Sequence, residues 1–131
     1  MSRENVEVVR AGVEAWNAGD VAGLRALHHP DVIVLAPADW PEPGPTIGRD
    51  AVMSQWGRLR EAWDTDSVTV LGGLIGVGER VVGRIAWRVE GHGPDLGTEL
   101  SGVWTVRGGK IVHAQFFWAQ AEALKAVGVE E

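Results

Sequence analysis

Few side chains in this chain have types that do chemistry. There is no cysteine and no tyrosine, so neither a thiol nucleophile nor a phenolic acid is available. His28 and His29 precede Pro30 at the end of a helical pattern, where a histidine serves the negative end of the helix dipole. His92 falls in a turn and His113 on the outer face of a strand. No pair has the spacing of a metal motif such as His-Glu-x-x-His, and no metal or other cofactor is expected. Three charged candidates remain. Arg84 and Arg88 lie in one extended run, and Asp39 lies beside Trp40 in a proline-rich segment. A buried guanidinium needs a carboxylate or an anionic ligand group. Asp39 is either a base at a pocket mouth or the acceptor of a local turn hydrogen bond. Trp16, Trp56, Trp63, Trp104 and Trp118 recur at helical and strand spacings, which suits either a packed core or the wall of a cavity.

These residues are positioned by a short series of elements. Val6, Val9, Val13 and Trp16 form one stripe at the helical period, predicting an amphipathic helix over 3–18. Gly19 suits its left-handed end and Asp20 caps a second short helix carrying Leu24 and Leu27. Val32–Leu35 reads as a strand. Residues 36–48 contain four prolines and two glycines and read as a stiff loop, either a lid or an ordered connection. Val52, Trp56, Leu59 and Trp63 predict a third helix over 49–63.

Four strands follow. Ser67–Ile75 is interrupted by Gly72-Gly73, a bulge signal. Arg80–Glu90 is long, and its more apolar face is Val81, Gly83, Ile85, Trp87 and Val89. Glu99–Val106 and Ile111–Trp118 are joined by Arg107-Gly108-Gly109-Lys110, a hairpin turn. Alternation puts Leu100, Gly102, Trp104 and Val106 on one face of the first. It puts Val112, Ala114, Phe116 and Trp118 on one face of the second, with Ile111, His113, Gln115 and Phe117 opposite. A short helix over about 119–126 closes the chain. Helices ahead of a strand meander predict an α+β architecture.

Length and charge exclude several function classes. The 131 residues fit a single domain spanning 1–131 with a real core. The net charge of −6 argues against nucleic acid and anionic membrane as partners. No apolar run reaches membrane-span length and the first ten residues are too charged for a signal peptide, so a cytoplasmic location is expected.

The segments WNAGDVAGLRAL, HPDVIVLAP, GRDAV, GERVVGR and VWTVRGGKIVHAQFFWAQAEAL, in this order, resemble the nuclear transport factor 2-like superfamily, in particular its SnoaL-like and ketosteroid-isomerase-like branch. The resemblance covers nearly the whole chain. It implies a cone-shaped, curved antiparallel sheet wrapped around three N-terminal helices, with an internal apolar pocket. That fold hosts isomerases, cyclases, epoxide hydrolases, dehydratases and non-catalytic modules. The isomerase residues do not carry over. Gly12 stands at the position of the oxyanion tyrosine, Ala36 at that of the general base, and Gly102 (or Ser101 after a slip) at that of the second oxyanion acid. None can do the work of proton abstraction beside a carbonyl.

The resemblance also implies a strand register. It turns Arg84 and Arg88 inward with Val82 and Ala86, against the apolar period, and leaves Ile85 and Trp87 outside as a sticky face. A homodimer through that face, with His113, Gln115 and Phe117, is the expected consequence. The expectation is a protein that binds a small apolar or amphipathic molecule and either isomerises, cyclises or hydrates it without a cofactor, or binds it without chemistry. Arg84 and Asp39 are its catalytic candidates. Trp16, Trp40, Trp56, Arg88, Trp104, Phe116 and Trp118 are its ligand-binding candidates, with Trp118 at the cavity wall.

Overall fold

The computed structural model describes residues 2–40, 44–61, 65–90 and 96–128. Trp63, His92 and the prolines at 41 and 43 lie outside them. Ten elements follow in order: α1 (Ser2–Ala18), α2 (Val21–Ala26), β1 (His28–Leu35), β2 (Pro45–Ile47), α3 (Arg49–Glu61), β3 (Thr65–Val77), β4 (Arg80–Glu90), β5 (Leu96–Arg107), β6 (Lys110–Phe117) and α4 (Gln120–Ala126). The six strands form one sheet in the order β2-β1-β6-β5-β4-β3. Strands β3 to β6 are the expected antiparallel meander, while β1 joins β6 in parallel.

Local chemistry accounts for the joints. α1 stops at Gly19, whose φ of 69° a side chain would disfavour. Asp20 then caps α2, its Oδ1 accepting from Gly23 N at 2.9 Å. Gly108 and Gly109, at φ 57° and 76°, make the tight turn between β5 and β6. The expected bulge in β3 lies between Leu71 and Ile75. One strand is new: within the proline-rich segment, Pro45–Ile47 pairs with Ile33–Leu35 along the sheet edge, where proline's missing N–H is tolerated.

The concave face and the helices enclose the main core. Val9 from α1, Val52 from α3, Val32 and Val34 from β1, and Val81, Ile85, Leu100, Trp104, Val106, Ile111 and Ala114 from the meander pack together. A second, smaller cluster lies on the outer face, where Ala123 and Leu124 of α4 cover Val82 and Val103, with Phe117 alongside.

Two face assignments are corrected by this arrangement. On β4, Val81 and Ile85 are buried in the core, and Arg84 faces out beside Ser101, its cross-strand partner. Period-2 alternation was therefore the right guide, and the register implied by the resemblance was wrong by one residue. Burying Val81, Ile85, Trp87 and Val89 outweighs any alignment, because a one-residue slip would exchange this apolar set for two arginines. The apolar outer patch that motivated pairing through Ile85 and Trp87 is thereby removed. On β6, Ile111 is buried inside instead of facing out. The pairing steps from Thr105↔His113 to Val106↔Ile111, so Val112 is an extra residue, and a bulge of this kind reverses the alternation before it.

Candidate ligand-binding site

Between α1, α3 and the concave face lies a cavity of about 150 Å³. Its walls are mainly aromatic. Trp16 comes from α1, Trp56 from α3, Trp87 from β4, Trp104 from β5 and Phe116 from β6, with Trp40 from the segment after β1. Trp16 stands edge-on to Trp56 at 5.7 Å between ring centroids, and Trp104 edge-on to Phe116 at 5.8 Å. Edge-to-face packing of this kind suits the quadrupoles of the rings.

Trp104 owes its place to two glycines. Gly83 and Gly102 are cross-strand partners. The Trp104 indole lies back over Gly102, where any Cβ would collide with its six-membered ring, and Leu74 occupies the corresponding space over Gly83. Glycine is required here for close approach, not for backbone conformation.

A carboxylate that sequence reasoning missed holds two of the walls. Asp66, at the start of β3, has a side chain only 6% exposed. Its Oδ2 accepts from the indole N–H of Trp16 and, at 2.9 Å, from that of Trp87. Arg60 Nε lies 3.3 Å from Oδ1, and the same guanidinium sits 4.8 Å above the Trp16 ring. The charge is thus paired and hydrogen-bonded, as a buried carboxylate must be. Asp66 does not itself line the cavity.

Apart from the indoles, the hydrogen-bonding side chains lining the cavity are His28 and Gln55, so His28 is its one ionisable lining residue among those described. Gln55 Oε1 accepts from Thr46 Oγ1 at 3.2 Å. His28 is buried at the junction of α2 and β1, with its ring edge-on to Trp56 at 5.2 Å. Its Nδ1 lies 2.7 Å from the carbonyl oxygen of Leu24. A carbonyl only accepts, so Nδ1 carries the proton. Burial pushes the His28 pKa below the usual histidine value, and the nearby Arg49 guanidinium lowers it further, while the bond to the Leu24 carbonyl works the other way. Arg49 also donates from Nη1 to the His28 carbonyl at 3.4 Å. The sequence read His28 as a helix-end histidine; its bond to the Leu24 carbonyl of that helix is a finding of the structure. The cavity on its other side was the part not legible.

The remaining candidates divide. Trp16, Trp40, Trp56, Trp104 and Phe116 all line the cavity, as do Gly12 and Ala36. Arg84 does not: its side chain is 43% exposed and its Nη2 donates to Glu99 Oε1 at 2.7 Å. Arg88 is exposed on the same outer face. Both follow from the register that buries Ile85 and Trp87. Asp39 is exposed, in a left-handed turn at φ 64°, and does not reach the cavity. Trp118 is at the rim and not in the wall. It is 47% exposed, packs on Trp40 at 5.9 Å, and donates from Nε1 to Ala38 O at 2.7 Å. That bond ties the end of β6 to the segment that carries Trp40 over the cavity.

Among the described residues, no helix is long and apolar enough to cross a membrane. A family profile described as SnoaL-like domain matches residues 9–114. Among solved structures, Bal32a from a soil-derived mobile gene cassette has a TM-score of 0.80 at 25% identity, over 88% of each chain. TerC, crystallised with polyporic acid, has a TM-score of 0.76 at 19% identity, over 95% of this chain and 98% of that one. IdmH from Streptomyces antibioticus, described as a candidate polyketide cyclase, has a TM-score of 0.74 at 23% identity, over 95% and 99%. No curated protein matches the chain.

Proposed function

This chain belongs to the SnoaL-like domain family, and we propose that it holds a small, uncharged, largely apolar molecule in the tryptophan-walled cavity and isomerises, cyclises or hydrates it without a cofactor. The observation that carries this reading is the cavity itself, apolar throughout except for one neutral histidine, Gln55 and the indole edges. Its volume of about 150 Å³ matches apolar cavities that accept a single aromatic ring. Apolar walls reward burial of such a ring at roughly 25 cal/mol per Å² and penalise any unpaired charge. The fold shared with TerC and IdmH supports the reading, since one was crystallised with polyporic acid and the other is described as a candidate cyclase.

A second reading is a binding module without chemistry. It is favoured by Gly12 and Ala36, which line the cavity and stand at the positions to which the resemblance to ketosteroid isomerases assigns an oxyanion donor and a base. Incubation of candidate carbonyl substrates in heavy water separates the two readings, because only a catalyst exchanges the acidic C–H faster than buffer does.

The binding claim is tested by filling the cavity. Gly12 lies in α1 and lines the cavity, and a Cβ built on it meets nothing within 4 Å, so Gly12→Leu puts a side chain into the cavity and reduces its volume. Toluene titrated into the native protein should change tryptophan fluorescence saturably, and Gly12→Leu should abolish the response while leaving the unfolding midpoint unlowered. A variant that bound toluene as before would overturn the assignment of this cavity as the binding site.

A further inference from the structure

Resting on that reading of the cavity, we propose that His28 Nε2 is the group that selects the ligand, and that the ligand is a neutral single-ring aromatic bearing a hydroxyl, which donates to it. The geometry assigns the role. Nδ1 is committed to the Leu24 carbonyl at 2.7 Å, so in the neutral ring the lone pair is on Nε2. Nε2 has no hydrogen-bond partner among the described residues, although His28 is 2% exposed and lines the cavity. Nε2 keeps accessible surface, unlike Arg49 Nε, the buried side-chain atom without a partner among the described residues, so a ligand hydroxyl can reach it and gain a hydrogen bond in a mainly apolar wall. An apolar molecule of the same shape gains none. A site that hydrogen-bonds one ligand group rejects the analogue lacking that group far better than an apolar pocket rejects an extra methylene.

The class of ligand follows from the rest of the wall. Trp56, against which the imidazole stands edge-on at 5.2 Å, and Trp16 beside it present ring faces and edges that suit another aromatic ring. Burial first, and the Arg49 guanidinium after it, oppose protonation of the ring, so His28 meets the ligand as an acceptor and not as a cation. An anionic carboxylate therefore finds no charged partner among the described lining residues.

The test compares phenol with toluene, which differ by hydroxyl against methyl at nearly equal size, and adds benzoate as the anionic analogue. The readout is the ratio of the toluene to the phenol dissociation constant from tryptophan fluorescence. His28→Phe keeps an aromatic ring against Trp56 and removes both nitrogens. It should lower that ratio roughly tenfold, the scale of one buried hydrogen bond, with toluene still bound and benzoate bound by neither protein. Independently of whether the variant folds, the Nε2 resonance of His28 in ¹⁵N-labelled native protein should move on addition of phenol and stay in place with toluene. Toluene binding with no phenol preference and an unmoved Nε2 resonance would overturn the role of His28 and leave the cavity reading intact. Saturable binding of neither would overturn both.

Discussion

Trp16 and Trp87 donate their indole N–H groups to the same carboxylate oxygen, Oδ2 of Asp66, although they come from α1 and β4 and the carboxylate from β3. One buried acceptor thus joins a helix to two neighbouring strands and sets two walls of the cavity. Arg60 from α3 completes the cluster, so α1, α3 and β4 are tied to one carboxylate of β3.

Removing that acceptor should therefore cost more than removing an exposed carboxylate. Asp66→Ala leaves two indole donors unpaired and strips Arg60 of its partner. The expected loss is about 2–4 kcal/mol in urea unfolding, with a change in tryptophan emission. Asp66→Asn keeps one accepting oxygen and should lose less. Equal losses for the two would mean that the hydrogen bonds contribute little and that volume alone matters.

Gly102 provides a packing test. Its Cβ position is filled by the Trp104 ring, so Gly102→Ala must push that indole off the sheet and toward the cavity. Overpacking of this kind costs about 1–3 kcal/mol. Toluene affinity should fall in parallel. If toluene binding survives while stability drops, Trp104 belongs to the core alone.

The acid side of the stability profile should carry the signature of His28. Its folded pKa lies below the usual value of about 6.5 because burial disfavours the charged ring. Between the two values the unfolded chain binds the extra proton. Stability is then full above about pH 6.5 and declines as pH falls below it. His113, lowered by partial burial and by Arg80, adds in the same direction from a more exposed position. Unfolding free energy measured from pH 7.5 to 5 should decline in the native protein, and less steeply in His28→Phe. A flat profile in the native protein would contradict the placement of His28.

Arg84 and Glu99 form an exposed pair, with side chains 43% and 63% accessible. Such pairs contribute up to about 1 kcal/mol. Arg84→Met should shift the unfolding midpoint little and leave toluene binding unchanged. A marked loss of binding would restore the inward register that the structure contradicts.

Local pattern alone determined the elements of this fold other than β2, the short edge strand in the proline-rich segment. The valine and tryptophan stripe of α1, the Gly108-Gly109 turn and the alternation in β4 each depend on neighbours within a few residues, and each was legible without tertiary information. In β4 the alternation was a better guide than family register, because the physical preference for burying Ile85 and Trp87 acts on this chain directly. Trp16, Trp40, Trp56, Trp104 and Phe116 were likewise legible as wall residues once a hollow α+β fold was inferred. The rest required the folded chain. The Val112 bulge that turns Ile111 inward is set by pairing with β5, and its own sequence carries no glycine or proline to announce it. Asp66 looks like any polar residue at a strand start until Trp16 and Trp87, 50 and 21 residues away in sequence, meet at its oxygen. His28 read as a helix-end histidine, which it is. Only the closure of the sheet over α1 and α3 places a cavity beside it, because a side chain's exposure is decided by what packs around it and not by its neighbours in the chain.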